Sequence, residues 1–302
     1  MTKKNIYKIE SDFIDGRVTN CQIFTPLNFS FDIFDHDIIF SNCIFEEEVN
    51  FSNCIFNKRV FFINCEFNSK VDFSYSKFNG FCSFADSIFR HSCLFTSTYA
   101  LSLMNYSDVK FESTSTIDFH CSHFEKFANL VDVQINYNNL HKDYRRENAR
   151  ILKHYCINTN DKVMSFLFHK FEMKATLAKT KKSSDKIILR LNQISSDFGT
   201  DWVKAFLFTL VVSIMTFMFF YNFGLANRVF EWGWVSWESY ILVIVESIKH
   251  FCIFINPAHS INDFNGLELN SLGYLIDLFA RIFIGYGIYQ LIVSSRVFSR
   301  NI

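Results

Sequence analysis

Phenylalanine sets the rhythm of the first half of the chain. Phe29, Phe34, Phe40, Phe45, Phe51, Phe56, Phe62, Phe67, Phe73, Phe78, Phe84, Phe89 and Phe95 follow one another at spacings that alternate five and six. Two residues before each stands a smaller or β-branched side chain. In order these are Leu27, Asp32, Ile38, Cys43, Val49, Cys54, Val60, Cys65, Val71, Ser76, Cys82, Ser87 and Cys93, of which only Asp32 is out of character. The unit is eleven residues, as in VNFSNCIFNKR (49–59) and VFFINCEFNSK (60–70), with weaker copies at Val109/Phe111, Ile117/Phe119 and Ser122/Phe124. A period of five or six fits neither the 3.6 of a helix nor the 2 of a long strand. It fits a chain that turns a corner every few residues and sends two side chains inward per face, the ring to the centre and the smaller residue beside it.

This pattern resembles the pentapeptide-repeat family over about residues 27–127. The resemblance implies a right-handed, quadrilateral β-solenoid with two eleven-residue units per coil and coils stacked about 4.8 Å apart. Open coils are sheet edges and need covers. Residues 1–28 are expected to cover one end and the helical stretch from Asn139 the other. The ladder accounts for Cys43, Cys54 and Cys65 as small buried hydrophobes. Nine cysteines, an odd number, and no apolar leader core in Met1–Ser11 point to reduced thiols in a cytosolic compartment. His120-Cys121-Ser122-His123 alternates faces on a short strand, so no metal site is expected there.

Helical periodicity takes over from His141. His141–Tyr155 places Tyr144, Ile151, Leu152 and Tyr155 on one face and Lys142, Arg145, Arg146, Arg150 and Lys153 on much of the rest. That surface suits solvent, lipid or an acidic ligand. Asn158–Asp161 has the chemistry of a turn and helix start. A second helix is predicted over Lys162–Lys179 and a third, amphipathic stretch over 187–199. The domains predicted are thus a solenoid over 1–138, a helical connector with an interfacial helix over 139–200, and a membrane module over 201–302.

Ala205–Ala226 holds 22 residues without a charge, long enough to cross a bilayer. Residues 272–295 form a second predicted span, with Asp277 and Arg281 at i and i+4 able to pair. An ionisable pair inside a span marks a candidate functional site. Six basic residues at 179–204 and Arg296 and Arg300 at the other flank put both termini in the cytoplasm. Trp232, Trp234 and Trp237 are then an outer aromatic belt. Between the spans, Tyr240–Ile255 is apolar but too short to cross, is interrupted by Glu246, Lys249 and His250, and stops at Asn256-Pro257. It suits a re-entrant half-helix.

The order span, half-helix, loop, span resembles the pore module of two-span cation channels, and the chain resembles pentapeptide-repeat membrane proteins that end in such a module. The resemblance implies a homo-oligomer, most simply a tetramer, since two spans cannot enclose a pore. Tyr286, Gln290 and Ser294 are the candidate pore wall, with Gln290 and Ser294 roughly 220° and 260° round the helix from Asp277. Glu246, Asn256, Pro257 and Ser260 belong to the re-entrant loop, and Gly285 and Gly287 are a candidate hinge. The loop lacks the Thr-Val-Gly-Tyr-Gly of potassium channels, reading Ile255-Asn256-Pro257-Ala258-His259-Ser260 instead.

Composition narrows the rest. Lys+Arg and Asp+Glu tie at 30 each, which excludes a strongly basic nucleic-acid binder. Residues 1–140 carry −6 and residues 141–302 carry +6, too modest an acidic face to imitate duplex DNA. No P-loop, Gly-x-Ser-x-Gly, His-Glu-x-x-His or spaced Cys pair is present. The sequence therefore points away from an enzyme or a cofactor protein. It points to a bacterial inner-membrane protein, either an oligomeric channel-like pore gated or scaffolded by its cytosolic solenoid, or a membrane-tethered scaffold for a cytosolic protein. A polar stripe on the last span favours the channel; a uniformly lipid-compatible helix favours the anchor.

Overall fold

The computed structural model describes residues 4–6, 16–126, 128–225, 237–264 and 268–299. The chain divides into two compact units, Met1–Lys179 and Thr180–Ile302.

The first unit is a parallel β-solenoid of about five turns followed by two helices. Its strands, mostly two residues long, build four sheets. Each pairs in parallel with the strand 22 residues further on, so that Ile38, Val60, Cys82 and Met104 lie in one register. The eleven-residue period becomes geometry in this way: equivalent positions stack coil upon coil. Phe40, Phe62, Phe84 and Tyr106 form one column, their rings stacked 5.2, 5.4 and 5.3 Å apart. Phe45, Phe67, Phe89 and Phe111 form another at 4.7, 4.8 and 5.3 Å. Rings of adjacent columns meet edge to face, as Phe51 does with Phe62. Each fully buried ring stabilises the fold by about 1.5–3 kcal/mol.

The smaller inward residues fall into two classes. Ser76, Ser87 and Thr98 donate their hydroxyls to the carbonyls of Phe51, Phe62 and Phe73 on the neighbouring coil. The Cys43, Cys54 and Cys65 thiols reach the equivalent carbonyls of Val18, Phe29 and Phe40. The alternate positions, Val49, Val60, Val71, Cys82 and Cys93, are buried apolar fill. The donor class follows a corner that needs a left-handed residue: φ is positive at Asn20, Phe31, Asn42, Asn53, Asn64, Tyr75, Asp86, Ser97 and Asp108, eleven apart.

Residues 16–28 are part of the coils rather than a separate cover. Val18 and Ile23 occupy ring positions, and Arg17–Thr19 and Cys21–Ile23 are strands. Lys4–Ile6 adds a further parallel strand beside Cys21–Ile23. After Phe111 the register widens to 24 residues, with Cys93 opposite Ile117 and Met104 opposite Ala128. Buried Asn139 holds the widened corner, donating from Nδ2 to the carbonyls of Glu112 and Ser115.

Helices Arg145–Asn158 (α1) and Lys162–Lys179 (α2) follow. Leu152, Tyr155, Cys156, Phe168 and Phe171 join the solenoid core. α1 also satisfies the last coil's amides: Phe119 N donates to Asn148 Oδ1 at 2.6 Å, Cys121 N to Glu147 Oε1 at 3.2 Å and Phe124 N to Tyr155 OH at 3.2 Å. The expected helical cover at this end is therefore present.

The second unit contains helices Ser183–Ser196 (α3), Trp202–Phe223 (α4), Trp237–Phe254 (α5) and Ser271–Ser299 (α6). α4 and α6 are long and apolar enough to cross a membrane, with mean hydropathies of 2.1 and 1.5 in their most apolar stretches. Asp201 starts α4, its carboxylate accepting from Lys204 N at 2.9 Å. α3 belongs with these helices, so residues 139–200 are not a single connector. Trp232 and Trp234 lie outside the described residues, as do the side chains of Trp237 and Glu246.

Candidate functional site

The second unit has a small apolar core around Phe220, Phe254, Phe264 and Ile284, but it also buries polar groups and exposes hydrocarbon. α4 buries Ala205, Thr209 and Ser213, and α6 buries Asp277, Gln290 and Ser294. Outward stand Phe206, Leu207, Val211, Ile214, Met215, Met218 and Phe219 from α4, and Leu275, Leu278, Phe279, Ile282, Phe283 and Ile292 from α6. In water this arrangement would expose hydrocarbon and bury hydroxyls. In lipid it is the stable one, because hydrocarbon is the solvent and polar groups must find partners inside. Gly287 lets α4 and α6 meet: a Cβ there would lie 2.5 Å from Thr209 Oγ1. Nothing stands within 4 Å of a Cβ added to Gly285, and α6 runs unbroken through both glycines.

Two polar clusters hold the unit together. In the first, Arg281 Nε donates to Asp277 Oδ2 at 2.8 Å, and Asp277 Oδ1 lies 2.9 Å from His259 Nε2. The side chains of Asp277 and His259 are 5% and 1% exposed. His259 Nδ1 is 2.7 Å from the carbonyl of Asn256, which can only accept, so Nδ1 carries a proton. Nε2 and Oδ1 approach without the geometry of a well-formed hydrogen bond. Arg281, which holds the other carboxylate oxygen, has a side chain that is 29% exposed.

The loop after α5 places this imidazole. Asn256 Oδ1 accepts from Ala258 N, and Ser260 and Asp263 form a reciprocal cap on the turn Ile261–Asp263. Asn256, Pro257 and Ser260 thus shape the turns that point His259 at α6. Sequence reasoning paired Asp277 with Arg281 but passed over His259. The available signal was a histidine two residues after Pro257, in the loop before a span that holds one acid, Asp277.

The second cluster gives two of the candidate pore residues, Tyr286 and Gln290, partners on another helix of the same chain. Gln290 and Ser294 are 5% and 0% exposed. Gln290 Oε1 accepts from Ser196 Oγ at 2.7 Å, Ser294 Oγ donates to the Gln290 carbonyl at 2.7 Å, and Tyr286 OH is 3.1 Å from Ser195 Oγ. Tyr286 and Gln290 join α6 to α3 within one chain. The reason is physical: α3 ends in two hydroxyls that need partners out of water, and α6 supplies them. In the first unit, His120 pairs with Asp118 and stacks on Tyr144, while His123 stacks on Tyr99. No group of metal-ligating side chains occurs among the described residues. Of the cationic face of α1, Arg145 lies over the Tyr137 ring and Lys153 pairs with Glu172 at 2.5 Å.

No family model, curated protein or solved structure matches this chain.

Proposed function

We propose that this chain is a membrane-tethered scaffold of the pentapeptide-repeat type, its solenoid presented in the cytosol of a bacterium to a protein partner and its α4 and α6 anchored in the cytoplasmic membrane. The observation that carries this reading is the hydrocarbon that the two long helices turn outward while burying polar side chains. Its spans bury Thr209, Ser213, Asp277, Gln290 and Ser294, partnered by their own backbone, by His259 and by α3, and turn hydrocarbon outward. A pore assembled from several copies needs a polar stripe on the outward face. The described outward residues of both helices are apolar along their middles; Asn222, Tyr274 and Ser295 stand near the ends, and Tyr289 is 60% exposed among isoleucines. The basic residues before α4 and after α6 favour cytoplasmic flanks.

A channel is the second reading, favoured by the placement of α5 and its loop between two spans. Ion flux through liposomes holding the purified protein separates the two. The scaffold reading expects no flux above protein-free liposomes, with Ile214→Cys shielded from water-soluble thiol reagents and exposed Lys58→Cys reacting freely. Flux that thiol reagents block in Gln290→Cys but not in Ile288→Cys would establish the channel instead.

A further inference from the structure

α3 buries two serines at its C-terminal end and exposes isoleucines beside its charged residues. Ser195 and Ser196 are fully buried against Tyr286 and Gln290, whereas Ile187 is 66% and Ile194 59% exposed. At roughly 100° per residue, Ile187, Leu191 and Ile194 share one face. Lys186 and Arg190 flank that face on one side, and Asn192, Ser195 and Ser196 lie toward the bundle. Asp197, Phe198 and Gly199 then follow with positive φ and turn the chain sharply into α4, where Trp202 and Val203 are each 47% exposed. Gln290, which α3 touches, lies six residues before Arg296. At about 1.5 Å per residue, that is about 9 Å inside the level of the terminal arginine.

We propose that α3 is an interfacial helix that docks on an anionic phospholipid surface. Ile187, Leu191 and Ile194 enter the boundary between headgroups and acyl chains, and Lys181, Lys182, Lys186 and Arg190 meet the phosphates. The occupant follows from three features. The exposed apolar face continues into the apolar surface of α4. Its depth is that at which amphipathic helices lie in a bilayer, about 5–10 Å. Its charge is cationic: four basic residues stand over 181–190 against Asp185, which sits 3.7 Å from Lys182. A second protein chain on this face would have to satisfy those cations; a lipid surface does so with phosphates, each basic residue contributing about 1 kcal/mol near an anionic membrane. The inference rests on the membrane reading above, and its test keeps the two apart.

The full-length protein, with Cys121 and Cys252 changed to serine, is reconstituted into vesicles and labelled with an environment-sensitive fluorophore at single introduced cysteines. Ile187→Cys and Ile194→Cys should emit at shorter wavelength and be quenched strongly by lipid-attached quenchers, with Gln193→Cys quenched weakly. Vesicles containing phosphatidylglycerol should raise the melting temperature of the protein over phosphatidylcholine vesicles. That rise should shrink in the triple variant Lys182→Gln, Lys186→Gln, Arg190→Gln, and soluble glycerol phosphate should not reproduce it. If Ile214→Cys is lipid-quenched while both α3 positions report water, the spans hold and this inference falls. A dry signal at Ile187 and Ile194 that lipid quenchers cannot reach would mean that another protein chain covers the helix, which also overturns it. If Ile214→Cys itself reports water, the membrane reading fails first.

Discussion

At the residue scale the solenoid separates two demands that its repeat seems to merge. The ring positions require bulk, and phenylalanine satisfied them so regularly that the ladder could be read directly. Val18, Ile23, Ala100, Tyr106 and Leu130 fill the same columns, but a pattern keyed to phenylalanine does not reveal them. The small positions require either a donor or a methyl group, according to which corner precedes them. The alternation Val49, Cys54, Val60, Cys65, Val71, Ser76 already encodes this. Burial pushes the Cys54 thiol up to about 12, so it remains protonated and able to donate at neutral pH. The corners impose a third demand, a left-handed backbone, which costs most L-residues about 1–2 kcal/mol and asparagine less. Asn42 and Asn64 satisfy it and also donate to the asparagine one coil down. Tyr75 does not suit it: its φ is 61° and its side chain is 62% exposed. Tyr75→Asn should therefore raise stability by about 1 kcal/mol, or about 2–4 °C for a unit of this size, measured by thermal unfolding. Asn64→Tyr should lower it. A loss of stability in Tyr75→Asn would mean that the exposed ring has a packing partner on that corner.

At the scale of elements, what the sequence revealed depended on whether the signal was local. The helix Lys162–Lys179 was placed at its observed bounds, and both long helices were found within a few residues, because apolar runs and caps are near neighbours in sequence. The Asp277–Arg281 pair was legible for the same reason: one helical turn separates its members. His259 was not, since its approach to Asp277 depends on the turns at Asn256 and Ser260, and no periodicity encodes those. A polar group in a span has two uses, facing water or facing another helix, and no periodicity in the sequence encodes the contact that Gln290 makes with Ser196 on α3. The His259–Asp277–Arg281 cluster makes an element-scale prediction. Asp277→Ala leaves the Arg281 guanidinium without its counter-ion and the His259 imidazole without its neighbour, and should destabilise the helical unit by about 3–5 kcal/mol. The double variant Asp277→Leu, Arg281→Leu removes both charges and should recover much of that loss. Thermal unfolding in detergent measures both. A cluster with no structural role would leave Asp277→Ala at the wild-type midpoint.

At the scale of the whole molecule, the sequence and the structure draw the domain boundary in different places, and the difference can be tested. The repeat stops near residue 138, and the three amphipathic helices after it look alike in composition, which is why they read as one connector. Their inward faces differ. α1 and α2 bury Leu152, Tyr155, Phe168 and Phe171 with the solenoid core, whereas α3 buries serines against α6. A fragment ending at 138 would lose Asn139, which secures the widened corner, and Asn148 and Tyr155, which accept the amides of Phe119 and Phe124. It would expose the last coil as an open parallel edge with Phe124 and Leu130 beside it, a template for edge-to-edge association. Residues 1–179 keep all of these contacts. The longer fragment should therefore be a soluble monomer that unfolds cooperatively, and the shorter one should aggregate or elute as large species in size-exclusion chromatography. Replacing Asn148 by Leu in the longer fragment should reproduce part of the defect, since it removes the acceptor for Phe119 N and the donor to Asp118. If the 1–138 fragment is monomeric and melts with the 1–179 fragment, the helices are passengers on the solenoid, and the division at Lys179 has no energetic meaning.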